Sequence, residues 1–155
     1  MNVITYQDYF RKFITAGLVN SIYEIDLLDL DTASKDLRSG KYKPDHLLLE
    51  SFTVLTSMTT ADSIYDQFHG AILVLSPASI RTLGQTEKSK LLNDTYKKIA
   101  TIKRAMIHDK YNTCGYMRGL EVESIETQKI GPVLDQMYGW RLQFRLDVDL
   151  NTPIT

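Results

Sequence analysis

Cysteine is almost missing: Cys114 stands alone in 155 residues, so no disulfide can close within the chain. A domain of this length buries roughly 70% of its unfolded surface and needs neither a disulfide nor a metal to hold together. A lone thiol suits a reducing compartment, or an assembly made in one. Long apolar runs are missing too. Stretches such as Ala71-Ile72-Leu73-Val74-Leu75 fall far short of the roughly 20 residues that cross a bilayer. The residues from Met1 to Asp8 show no basic start followed by an apolar run, as a secretory leader would. The expectation is a soluble protein with no membrane partner. There is also no surplus of one charge: the formal net charge is −1, which argues against a surface built mainly to grasp phosphate.

The sequence signs of catalysis are equally scarce. Neither G-x-x-x-x-G-K-[ST] nor G-x-G-x-x-G occurs, so no glycine-rich cradle for phosphates is expected. No serine sits in a G-x-S-x-G elbow. The histidines are His46, His69 and His108. Asp66 and His69 have the i, i+3 spacing that lets two ligands share a helix face, but a metal site wants three or four ligands and no second pair is present. Asp29 and Asp31 resemble the start of a calcium loop, yet Ala33 stands where the third oxygen ligand belongs. Cys114 as a nucleophile lacks a local base; a small residue in a turn is the simpler reading. The sequence thus points to no metal, no cofactor and no enzyme. An enzyme built on Asp66, His69 or Cys114 remains the weakest alternative.

What is present is periodicity. Tyr6, Tyr9, Phe10, Phe13, Ile14 and Leu18 follow helical spacing, with Thr5 and Asp8 able to cap the start and Gly17 weakening the end near Val19-Asn20. Such an aromatic stripe reads as core, or as a subunit contact. Ile22 to Leu30 alternates like a strand. Asp31 to Asp45 is polar and broken by Ser39-Gly40 and Lys43-Pro44. A loop of that length is often functional. Its Lys35, Arg38, Lys41 and Lys43 form a basic cluster, either solvated or in contact with a partner. His46 to Ser57 and Ala71 to Ser76 read as strands; Ala61 to Phe68 is either a short helical turn or part of a wide hairpin. Thr86 opens the longest helix, reaching about Lys110, with Leu91, Leu92, Tyr96, Ile99, Ile102 and Met106 as its apolar stripe. Roughly 24 residues at a 1.5 Å rise span about 36 Å, enough to cross one face of a small sheet. Asn112 to Gly115 reads as a turn and Tyr116 to Gln128 as strand-like. Gly131-Pro132 then breaks the chain before a last strand.

That last strand is the clearest element. From Tyr138 to Leu150, Trp140, Leu142, Phe144, Leu146, Val148 and Leu150 alternate strictly with Arg141, Gln143, Arg145, Asp147 and Asp149. Side chains on a strand alternate between faces, so one face is buried while the other shows two cations and then two anions. In a solitary domain this is a solvated face. In a ring of identical subunits the same residues, Arg141, Arg145, Asp147 and Asp149, can pair plus to minus between neighbours, which helps fix register. Helices and strands do not alternate regularly. The expected fold is therefore one domain over residues 1–155, α+β, with a mostly antiparallel sheet under an N-terminal helix and one long central helix.

The opening of the last strand, Gly139-Trp140-Arg141-Leu142-Gln143-Phe144, resembles the C-terminal strand of tail-completion or tail-terminator proteins of tailed bacteriophages. The order of elements is similar as well: an N-terminal helix, a set of strands, one long central helix and two long closing strands. The resemblance implies a virion structural protein, made in the host cytoplasm and placed in the neck or tail. It implies a homo-oligomeric ring, a head–tail connector or tail terminator, stacked between the portal or adaptor and the tail proteins. DNA would pass through the lumen without specific binding. In that setting Lys35, Arg38, Lys41 and Lys43 are the candidates for contact with an adjacent ring. The alternative without a virion role is a soluble binding adaptor using the same sheet.

Overall fold

The computed structural model describes residues 3–25, 46–60, 63–77, 84–112, 115–133 and 137–149. The order is α1 (Val3–Thr15), β1 (Ser21–Ile25), β2 (His46–Glu50), β3 (Thr53–Thr60), β4 (Ser63–Pro77), α2 (Gln85–Asn112), β5 (Leu120–Val133) and β6 (Met137–Asp149). One sheet holds all six strands in the order β1-β2-β4-β6-β5, with β3 pairing β4 beside β2. Only β1 and β2 run parallel; every other pair is antiparallel. The fold is α+β with a mostly antiparallel sheet, as the patterning indicates.

Helix α1 begins at Val3, so Thr5 lies inside its first turn rather than at its cap. It ends earlier than the periodicity suggests. Gly17 takes φ 68°, a left-handed conformation that costs glycine least. The Leu18 N–H then reaches the Phe13 carbonyl at 3.0 Å and the Gly17 N–H the Ile14 carbonyl at 2.9 Å. These two reverse bonds satisfy carbonyls that the helix end would orphan. The aromatic stripe is core: Tyr6, Tyr9, Phe10 and Phe13 are all buried, whereas Ile14 is exposed. Edge-to-face contacts of Tyr6 with Phe10 and of Tyr9 with Phe10 lock the stripe, and Phe144 of β6 receives it.

Gly84 precedes helix α2 as its cap, and its N–H donates to the Glu87 carboxylate at 3.1 Å. This is one half of a capping box, and the acidic group also suits the positive end of the helix. Ile99, Ile102 and Met106 are fully buried, while Tyr96 of the expected stripe is 41% exposed. Trp140 explains the exception. Its indole N–H donates to the Leu92 carbonyl at 2.8 Å, and Tyr96 lies against its ring with centroids 4.9 Å apart. Both helices sit on one face of the sheet, over Leu47, Leu49, Phe68, Ile72, Val74, Leu142, Phe144 and Leu146. An ionic clasp joins them: Asp109 of α2 accepts from the Tyr9 hydroxyl at 2.9 Å and is paired with Lys12.

The segment His46 to Ser57 is two strands rather than one. Leu49 faces Ile72 but Thr53 faces His69, so Glu50, Ser51 and Phe52 stand against only Gly70 and Ala71. One extra residue makes a β-bulge, which reverses the phase of side chains beyond it. Residues 63–68 resolve as strand: β4 runs unbroken for 15 residues as one arm of a hairpin with β3. Gly131-Pro132 does not end β5, which continues to Val133 with a register shift.

Candidate functional site

The face of the sheet turned away from the helices is where the charges of β6 lie. Arg141, Gln143, Arg145, Asp147 and Asp149 stand opposite Leu73, Ala71, His69, Gln67 and Tyr65 of β4. Alternation on a strand puts them all on this outer face. Arg141 does not stand alone there. Its Nε lies 2.6 Å from Glu50 Oε1 and one terminal nitrogen 2.7 Å from Oε2, a two-pronged bond that matches guanidinium to carboxylate. Glu50 is on β2, two strands away, and Ala71 of the intervening β4 carries too small a side chain to separate them. The bulge helps, since it places both Glu50 and Ser51 along a groove of about 390 Å³ with His69, Ala71, Ser124, Gln143 and Arg145.

The network continues outward. The other terminal nitrogen of Arg141 donates to Gln143 at 2.6 Å, and the Gln143 amide donates to Glu126 on β5. The hydrogen bond with Glu50, assisted by the charges of Glu50 and Glu126 and opposed by burial, holds the Arg141 pKa above its ordinary value. Arg145 lies 2.9 Å from Asp147, and its backbone N–H donates to the Ser124 hydroxyl at 2.9 Å. That serine bridges a second irregularity, where four residues of β5, Val122 to Ile125, stand against Phe144 alone. Arg141 and Arg145 therefore each have a partner in their own chain. Asp147 shares Arg145, and Asp149 is exposed at the strand end. Pairing of either arginine with a neighbour would compete with the bond it already makes.

Other residues singled out in the sequence fall elsewhere. Asp66 and His69 lie on strand β4, not on a helix, and three residues apart on a strand means opposite faces. Asp66 accepts from the Thr56 hydroxyl at 2.7 Å on the helix-bearing side, while His69 faces the outer groove. The two cannot act together. Lys35, Arg38, Lys41 and Lys43 lie outside the described residues, as do Asp29, Asp31, Ala33 and Cys114. Among the described residues no group of three His, Cys, Asp or Glu side chains is placed to hold a metal ion. Among them, too, no helix is long and apolar enough to cross a membrane.

The feature that sequence patterning missed is β3. It pairs with β4 on one side, and among the described residues no strand covers its other side. Thr53 to Thr60, TVLTSMTT, carries no charge and no proline. Val54 is 41% exposed, Leu55 52% and Met58 66%. Val54 and Met58 face the helix-bearing side, and Leu55 the other. Free N–H and C=O groups on an edge with apolar side chains on both faces make a template for another strand, unless charge or proline blunts it. Here neither does. Its signal in the sequence is eight consecutive uncharged residues rich in threonine and aliphatics, but these run on from the apolar segment that reads as one strand from His46 to Ser57. Glu50 was hidden likewise, at the end of the apolar run Leu47-Leu48-Leu49. Comparison of the chain with protein-family models, with curated proteins and with solved structures found no match.

Proposed function

We propose that this chain is a structural subunit that works by self-association, a ring-forming head–tail connector or tail-terminator component of a tailed bacteriophage. In that role it joins the portal or adaptor to the tail, with DNA passing through the lumen unread. The observation that carries the reading is the edge of β3 that no strand covers among the described residues, apolar on both faces and without the lysines and prolines that protect edges of monomeric proteins. The element order supports the same reading: one N-terminal helix, a long helix across the sheet, and two long closing strands.

The test places a gatekeeper on the edge. Leu55→Lys and Met58→Lys alter exposed side chains that contribute little to the core, so the thermal midpoint should stay close to that of the wild type. Self-association, followed by light scattering, should be lost. An assembly unchanged by both substitutions would remove β3 as the contact. An intact monomer that captures a foreign extended peptide at the same edge would favour the adaptor reading instead.

A further inference from the structure

The two faces of the molecule carry opposite charge surpluses. Helix α2 contains seven lysines and arginines against three carboxylates. Lys90, Lys97 and Arg104 are all exposed and recur every seven residues; Asp94, 3.6 Å from Lys97 on the same side, offsets one of the three charges and leaves the stripe basic. Seven residues are nearly two turns, so the three cations form one stripe on the solvent side, about 21 Å from first to last. The buried residues Ile99, Ile102 and Met106 occupy the opposite side of the helix. Across the sheet the balance reverses. Glu121 and Glu126 of β5 face the outer side opposite Arg145 and Gln143, Glu123 lies exposed between them, and Asp147 and Asp149 close the row. Arg145, and Arg118 beside the last two aspartates, offset only part of this. Arg141 adds nothing, because buried Glu50 balances it. From Gln143 to Asp149 the row extends about 20 Å at 3.3 Å per residue.

We infer that the basic stripe of α2, Lys90, Lys97 and Arg104, docks on the acidic outer face of β5 and β6 in a second copy of this chain. This rests on the ring reading above and names a contact for it. The two stripes match in sign and in length. They lie on opposite sides of one two-layer domain, so their union is head to tail, which builds a ring where the rotation between copies closes and an open filament where it does not. The near-zero net charge fits as well: each copy presents equal attraction at both faces with little overall repulsion. Charge complementarity of this kind fixes orientation and register, while the apolar edge of β3 supplies contact area.

Three variants test it. One reverses the helix (Lys90→Glu, Lys97→Glu, Arg104→Glu), one reverses the sheet (Glu121→Lys, Glu123→Lys, Asp149→Lys), and one combines both sets. Glu126 is spared because it belongs to the Arg141 network. Each reversal alone should weaken self-association by about a hundredfold, since like charges then face each other across the contact. The combined variant should assemble again, because the two patches have exchanged sign. A combined variant no better than either single set overturns the proposal. Salt gives an independent reading that needs no variant. Raising ionic strength from about 0.1 M to 1 M shrinks the screening length from about 10 Å to 3 Å and should loosen the wild-type assembly. Assembly indifferent to both salt and charge reversal sinks this contact but leaves the ring. Failure of the wild type to assemble at all sinks both. If the helix reversal abolishes binding of duplex DNA while assembly persists, the stripe serves nucleic acid and the proposal is overturned.

Discussion

Removing Glu50 should cost far more than its place on a surface sheet suggests. Its side chain is 6% exposed and that of Arg141 28%, and the two share a forked hydrogen bond across β4. Breaking a buried pair by deleting one partner costs about 3–5 kcal/mol, because the other charge is left without compensation. The partial exposure of Arg141 lets water repay some of that loss, so Glu50→Ala should lie at the lower end, about 3 kcal/mol. Arg141→Met strands the more deeply buried charge and should cost at least as much. Replacing both, with Glu50→Leu and Arg141→Met, should return stability to within about 1 kcal/mol of the wild type, since well-packed apolar substitutes often match a buried ion pair. Urea unfolding followed by the fluorescence of Trp140, the sole tryptophan, reads the effect directly. With a denaturant slope of about 2 kcal/mol per molar, a 3 kcal/mol loss moves the midpoint by about 1.5 M. Single substitutions costing below about 1 kcal/mol, or a double variant as unstable as the singles, would refute the reasoning.

The helix clasp should show in acid. Burial works against the charge on Asp109, but the hydrogen bonds from Lys12 and Tyr9 outweigh it and keep its carboxyl below the ordinary value; a depressed folded value means stability present at neutral pH and lost as pH falls below about 4. Asp109→Asn should therefore lower the thermal midpoint at pH 7, by a loss of about 1.5–3 kcal/mol, with the gap closing towards pH 2.5. Tyr9 stays a donor throughout, because burial and then its bond to Asp109 push its pKa up. Gly139→Ala should also destabilise, by about 1–3 kcal/mol or more, because a Cβ there would sit 2.0 Å from the Val74 carbonyl oxygen and force β4 and β6 apart. A wild-type urea midpoint for that variant would show that the strands can yield.

The parts of the fold that could be read in advance are those where one residue type repeats with one period. From Trp140 onward strand β6 alternates in sequence, and its neighbours on both sides leave one face to the core, so pattern and burial agree from Leu142 to Leu146. The aromatic stripe of α1 is equally direct, because only one face of that helix meets the sheet. Periodicity failed where a bulge changed its phase. Leu47 and Leu49 point to the helices, yet beyond Glu50 to Phe52 it is Val54 that does so, and no single alternation describes both. Strand β4 was obscured for a related reason: from Ile72 to Leu75 it has apolar residues on both faces, whereas Tyr65 to His69 alternates between partners of different polarity. The site suffered most. A sequence shows that Arg141 shares a face with Asp147, but not that Glu50 reaches it from two strands away over Ala71. That bond depends on strand order, which local pattern does not encode. The stripe of Lys90, Lys97 and Arg104 is visible in its seven-residue spacing, but nothing in the sequence marks which surface it would meet.

The proposed assembly is a closed ring of identical copies. Sedimentation velocity across the accessible concentration range, with negative-stain electron microscopy of the same samples, tests it most directly. A single large species of fixed stoichiometry, seen as rings, is the expected result, giving way to monomer in the Leu55→Lys and Met58→Lys variants. A compact monomer at every concentration, with no rings in any field, would contradict it.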